Sequence, residues 1–422
     1  MNERTQWIRR PAAILAVSLA LTAGVHSGVW AKEYILGYQC DRSGPTQVVG
    51  AFICDGTHDY FRLANKQGMF GEHTVRVFEI DHGYNVPRGV EAYERTKQEG
   101  HISYALYGTP HTYALTPKLT ADKVPGTSPG FGSAGAANGK SYPYIFPIAA
   151  TYWSQAGAAV KFVMDQWQAE GQSGTPKVAY IYYDNPAGRE PLPVLRDLQK
   201  RIGFAMRKFA VPPPGVEMRP QVLDIVRKYR ADWVIAHLFG RAPGVSMKEF
   251  SRLRFPMNRI VGFVWAGAES DVAIAGWDTA EGYNALQFAG VGHEHAIINE
   301  IKEMYKAEGK PEPEQMKVSV YYNRGVFMGA VHAKAIANAI EAKGGGEITG
   351  DDVRKGFEQI RDFSLDGFLP PLNITEEDHE GGGWVQVWQV KGGKFVKKTD
   401  WIRGYRDVVL EHVSNAEPPK TR

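Results

Sequence analysis

The first apolar cluster, residues 34–38, is a short continuous run, and a Gly44-Pro45 turn separates it from 48–63, where apolar positions recur at helical spacing. Strand then helix is the opening beat. It repeats as strand 74–80, helix 86–100, strand 102–106 and helix 114–122. Such alternation predicts parallel strands joined by helical crossovers. A Gly/Ser/Pro-rich passage at 125–139 interrupts the rhythm, and 144–148 then leads into a helix at 154–169. A second series follows: strand 177–183, helix 191–201, strand 204–211, helix 220–229 and strand 233–238. Two similar series predict two similar lobes. Further on, an Ala-rich helix at 325–343 stops at Gly344-Gly345-Gly346, and 351–361 makes another. Residues 384–396 alternate and turn at Gly392-Gly393, the pattern of an antiparallel hairpin. The end, 415–422, is polar and is expected to lack fixed structure.

Composition narrows the class. With 422 residues, 43% hydrophobic and 23% charged, the chain has the make-up of an ordinary globular protein of two domains. Lys and Arg are scattered and the net charge is only +3, which argues against nucleic acid as a partner. Arg9 and Arg10 precede an apolar run at 12–25, with small residues Val29 and Ala31 behind it. This is the layout of a secretory signal peptide cleaved after Ala31. The run is shorter than the roughly 20 apolar residues of a membrane span, although an uncleaved anchor is the alternative. The arginine pair lacks the preceding Ser or Thr of the usual twin-arginine pattern. Export to the periplasm is the expectation, and an oxidising compartment favours pairing Cys40 with Cys54, against two buried free thiols. Two cysteines are too few for a metal centre.

The usual catalytic motifs are missing. Gly-x-Gly-x-x-Gly after a strand, a phosphate loop, His-Glu-x-x-His and Gly-x-Ser-x-Gly are all missing from the sequence. His293 and His295 stand two apart, so they cannot share a helix face, and surface histidines are the simpler reading. No catalytic, metal or cofactor residue is assigned. Phe131, Tyr152 and Trp153 adjoin loop segments where aromatic rings can line a pocket, whereas Trp384 and Trp388 in the hairpin read as core.

An ordered series of landmarks carries a resemblance. Ile35-Leu36-Gly37 through Ser43-Gly44-Pro45 to Gly50, Ala105-Leu106-Tyr107-Gly108, Val178 to Tyr183 with Asp184-Asn185-Pro186-Ala187-Gly188, Ala275-Gly276 with Ala280-Glu281-Gly282, and Gly367-Phe368 to Trp388 follow one another. In that order they resemble the type I periplasmic binding proteins, the branched-chain amino acid (leucine/isoleucine/valine-binding) receptors of ABC importers. The resemblance implies an α/β fold of two Rossmann-like lobes with parallel sheets, joined by a three-crossover hinge that closes like a Venus flytrap on its ligand. The expected division is 32–150 plus 277–360 for the first lobe, 151–276 plus 361–410 for the second, and a polar tail at 411–422. The partners it implies are a small-molecule ligand and the permease subunits of an importer, with the receptor itself a monomer.

The family's ligand loops fall on Thr109, His111, Thr112 and Ser128 as hydrogen-bond donors, with Phe131 as an apolar wall. Asn185, Ala187, Phe239 and Arg241 are the expected contributions of the second lobe. Amino-acid-binding members place a carboxylate against the ligand ammonium just before the return crossing. Here that loop reads Trp265-Ala266-Gly267-Ala268-Glu269, with Trp265 nearest the acid's place and Glu269 closer to the crossing. A buried ammonium without a counter-charge is costly. The favoured solute is therefore an aromatic or other organic carboxylate, with Arg241 or His111 holding its charge. The alternative is a branched-chain or other amphipathic amino acid held through Glu269; amides and urea-like solutes come next. A periplasmic enzyme or a ligand-sensing regulator on the same fold are the rival classes.

Overall fold

The computed structural model describes residues 31–418. Residues 1–30, which carry nearly all of the signal peptide expected at 1–31, and residues 419–422 lie outside them. Twelve strands are defined, and their ranges fix the architecture: β1 Glu33–Cys40, β2 Thr74–Asp81, β3 His101–Ala105, β4 Gly126–Thr127 and β5 Ile145–Phe146 make one sheet. β6 Lys177–Tyr183, β7 Ala205–Val211, β8 Trp233–His237, β9 Ile260–Gly262, β10 Asn284–Gln287, β11 Gln386–Lys391 and β12 Lys394–Lys397 make the other.

The first sheet runs β2-β1-β3-β4-β5, all parallel. The second repeats that order as β7-β6-β8-β9-β10, then adds β11 and β12 antiparallel at its edge. The central strands read as apolar runs because helices cover both faces of such a sheet; β3 and β8 are buried at every position. In each sheet the order reverses between the first strand and the third, β1/β3 and β6/β8, which is where a crevice must open at the carboxyl ends.

β10 pairs with β9 and β11, so the chain returns to the first lobe only after Gln287, later than the boundary at 277 read from the sequence. The four-residue strand follows the Glu281-Gly282 turn and carries no periodicity that would separate it from loop. The terminal boundary also moves: Arg406–Ser414 is a helix packed on the Tyr152–Ala169 helix, and Tyr142 Oη donates to the Glu417 carbonyl at 2.6 Å. Residues 411–418 are thus part of the body rather than a polar tail.

In the first lobe the Gln47–Lys66 helix lies against Val320–Ala342. Their backbones meet at Gly56 and Gly325, where a Cβ on Gly325 would stand 2.0 Å from the Ile53 carbonyl oxygen; only glycine permits that approach. Cys40 at the end of β1 and Cys54 in this helix form a disulfide, with Cα atoms 6.3 Å apart. Among the described residues no helix is long and apolar enough to cross a membrane.

Candidate functional site

The carboxyl ends of the strands point at one another across the gap between the lobes, and a pocket lies there. Its walls come from the turn and first helix after β1 (Thr46, Val49, Ile53), the turn after β2 (Tyr84) and the segment Leu106, Tyr107, Gly108, Thr109 after β3. Phe131 follows β4, Tyr152 opens the next helix, Phe239 and Trp265 come from the second lobe, and Met328 from the Val320–Ala342 helix. The free space is about 470 Å³, open solvent at the mouth included.

Local chemistry holds these side chains in place. Asp41 accepts from the Thr46 backbone N–H at 2.8 Å and from Thr46 Oγ1 at 2.6 Å, bending the chain into the first helix. Tyr107 Oη donates to the Thr46 carbonyl at 3.3 Å. Thr109 Oγ1 accepts from the Gly132 N–H at 3.1 Å, which leaves its own proton as a donor. Thr109 begins a 14-residue helix, so the helix N-terminus, with its unsatisfied N–H groups, faces the pocket. Two aromatic pairs straddle the cleft: Tyr84 with Phe239, ring centres 6.3 Å apart, and Phe131 with Trp265 at 6.1 Å. Trp265 Nε1 also donates to the Gly130 carbonyl at 2.7 Å, from the second lobe to the first.

No lining side chain is a Lys, Arg, Asp, Glu or His. Burial pushes the Tyr84, Tyr107 and Tyr152 phenols above their usual range, so they stay neutral. The lining is an uncharged aromatic box with threonine hydroxyls and one helix N-terminus as its polar features.

A periplasmic binding protein family matches residues 34–394. The chain belongs to that family. A search of curated proteins finds no match. Among solved structures, this binding protein is similar to an ABC transporter permease from the Pseudomonas fluorescens group, 30% identical over 92% of this chain and 96% of that one, TM-score 0.81. It is also similar to a branched-chain amino acid ABC transporter protein from Thermus thermophilus with bound valine, 21% identical over 92% and 100%, TM-score 0.79. A fatty acid ABC transporter substrate-binding protein from Thermomonospora curvata is 18% identical over 92% and 95%, TM-score 0.72. At those identities the last two show the fold alone, which is the type I arrangement of two lobes.

Of the residues expected in the cleft, Thr109, Phe131, Tyr152, Phe239 and Trp265 line the pocket of this binding protein and the others do not. His111 is buried beside His82, ring centres 4.2 Å apart, with neither ring nitrogen hydrogen-bonded; burial lowers both imidazoles, His82 to about 3. Thr112 Oγ1 donates back to the Gly108 carbonyl, and the Ser128 hydroxyl is buried without a partner. Asn185 caps a short helix through Gly188, Ala187 is buried, and Arg241 is exposed at the start of the Ala242–Arg252 helix. Glu269 turns away from the pocket: its Oε2 accepts from the Val320 N–H.

Residues missed in the sequence explain themselves. Thr46, Val49 and Ile53 follow the Ser-Gly-Pro turn and had a visible signal; Met328 sits in an apolar helix and had none. Arg324 was also missed. It is fully buried behind Trp265, donates to the Val264 carbonyl and Gln287 Oε1, and lies 5.1 Å from the Trp265 ring centre and 4.9 Å from that of Tyr321. From a first-lobe helix it thus fixes the second-lobe segment that carries Trp265.

Proposed function

We propose that this protein captures an organic acid with an aromatic or extended apolar body between its lobes and presents it to the permease of an ABC importer, without chemical turnover. The uncharged lining carries the reading. An α-amino acid brings an ammonium that needs a counter-charge once buried, and the lining offers none, with Glu269 committed to the Val320 N–H. A carboxylate finds donors instead, at the helix N-terminus at Thr109 and at the Thr109 hydroxyl. The body of the solute would stack among Tyr84, Tyr107, Phe131, Tyr152, Phe239 and Trp265.

The Thermomonospora curvata protein is named for a fatty acid, an apolar carboxylate, which agrees with this class. The Thermus thermophilus protein holds valine, which favours an amino acid as the second reading. Thermal-shift screening separates them: benzoate-type and fatty acids should raise the melting midpoint while leucine and valine do not. Stabilisation by leucine or valine alone would overturn the proposal. Mass spectrometry of solute released after incubation should return it unchanged, as a receptor requires. We place the protein in the periplasm, with the leader removed after Ala31.

A further inference from the structure

One acidic side chain of the second lobe is bonded only to the first. Glu190 Oε1 accepts from Tyr113 Oη and from the Ala134 N–H, both at 2.8 Å and both across the cleft. Trp153, in the second lobe, donates from Nε1 to the Glu190 carbonyl at 2.9 Å and holds the backbone in place. The two bonds across the cleft exist only while the lobes are closed. Opening the hinge breaks them and lets water reach the carboxylate.

Closure leaves Glu190 in a poor place for a charge. Its Oε2 is shielded from water and has no hydrogen-bond partner. It is packed against Gly132, where a Cβ would stand 2.6 Å from the Thr109 methyl carbon and closer still to Oε2. Thr109 also lines the solute pocket, so the carboxyl and the solute share a wall. Among the described residues Glu190 makes no ion pair; Arg189, its neighbour in sequence, is bonded to Asp184 at 2.7 Å. The other groups around it supply no counter-charge. Burial pushes the Tyr113, Tyr142, Tyr152 and Tyr180 phenols above their usual range, so they are neutral. Glu417 borders the same crevice as a second acidic side chain, and His412, its ring 5.8 Å from that of Trp153, pairs with Asp197. A shielded carboxylate oxygen with neither a donor nor a counter-charge is costly, and a proton removes most of that cost.

We propose that Glu190 binds a proton as the lobes close, so that the receptor takes up one proton with each solute it captures and returns it to the solvent on opening. In the open form the carboxyl is solvated and ionised. In the closed form the proton sits on Oε2, while Oε1 still accepts from Tyr113 and Ala134. Burial supports that direction: it pushes the closed-state carboxyl from 4.5 up to about 7, against the bonds from Ala134 and Tyr113. Closure is then most favourable below pH 4.5 and loses its proton-linked part as pH rises through 7. The inference rests on a receptor that closes on its solute, not on which solute that is.

The test is titration calorimetry of the full exported protein with benzoate and with valine, each in two buffers of different ionisation enthalpy. Whichever acid binds should bring about one proton into the complex at pH 6 and almost none at pH 8.5, and its affinity should fall about tenfold per pH unit between 5 and 7. Binding of valine alone would overturn the solute class proposed above and leave the proton count to be read on valine. Glu190→Gln keeps the acceptor for Tyr113 and Ala134 and cannot titrate, so its affinity should be flat over that range, with no proton taken up. Tyr113→Phe removes a donor that favours the ionised form and should move the pH profile upward. Binding without uptake at pH 6 would overturn the proposal. So would uptake that persists in Glu190→Gln, which would assign the proton to another buried acid such as Asp271. Should Glu190→Gln not fold, Tyr113→Phe decides, and an unmoved profile overturns the site. Should neither acid bind, small-angle scattering of the ligand-free protein decides: the closed fraction should rise from pH 8.5 to 5.5, and a constant fraction overturns the coupling.

Discussion

Glu269 Oε2 accepts a hydrogen bond from the backbone N–H of Val320 at 2.7 Å, across the boundary between the second lobe and the first. Val320 is the first residue of a 23-residue helix, so the carboxylate satisfies an N–H that the helix itself cannot. Glu269→Ala should therefore cost stability, about 1 kcal/mol as for a lost helix cap, with solute affinity unchanged. Denaturant unfolding and calorimetry on the same sample check both halves. A folded variant that no longer binds its solute would place Glu269 against the solute after all.

Phe239 reaches Tyr84 from the opposite lobe, and Trp265 reaches Phe131, so the pocket is closed by aromatic contact. Removing one ring deletes stacking area and opens the cleft to water. Phe239→Ala should weaken solute binding by about 1–3 kcal/mol, about fivefold to 150-fold in Kd, while the protein stays folded. Trp265→Phe keeps a ring but loses the bond to the Gly130 carbonyl, and should cost about 1 kcal/mol of the closed state. Titration calorimetry of both variants ranks the effects.

The disulfide ties the end of β1 to the helix that supplies Val49 and Ile53, across a sequence separation of 14 residues. Closing a loop of that length restricts the unfolded chain by about 3 kcal/mol. The Cys40→Ala, Cys54→Ala double variant should lose about that much in denaturant unfolding. Alkylation of the unfolded wild type without reductant should label no thiol.

The alternation of apolar runs and amphipathic segments was enough to place most strands, because parallel strands buried on both faces carry a signal of their own. It could not place β4, β9 or β10, which have two to four residues each. The helix at Thr109 was read as beginning later, since Pro110 looks like a loop residue; proline is at home in a first helical turn. Phe131, Phe239 and Trp265, expected at the cleft, line the pocket. His111, Thr112 and Ser128 do not line it, because one turn of helix or one strand residue decides whether a side chain faces the cleft or the core. Arg324 gave no local sign, since what matters about it is partners distant in sequence.

Asp271 sits in the same buried shell as Arg324 and titrates far from its ordinary range. Its Oδ2 accepts from the Ala268 N–H at 2.9 Å and from Tyr321 Oη at 2.8 Å. Burial nevertheless pushes the carboxyl from 3.8 to about 7, against those two bonds and the Arg324 charge. Between those pH values the folded protein holds a proton that the unfolded chain has released. The stability this group contributes is thus full below pH 4 and is lost as pH rises through 7. Asp271→Asn offers the same acceptor to both donors and cannot titrate, so the variant should gain on the wild type as pH rises from 4 to 8, by on the order of a few kcal/mol. Denaturant unfolding of both proteins across that range measures the difference directly. A difference independent of pH would mean that Asp271 is ionised throughout, and that the buried Arg324 holds its charge more strongly than burial opposes it.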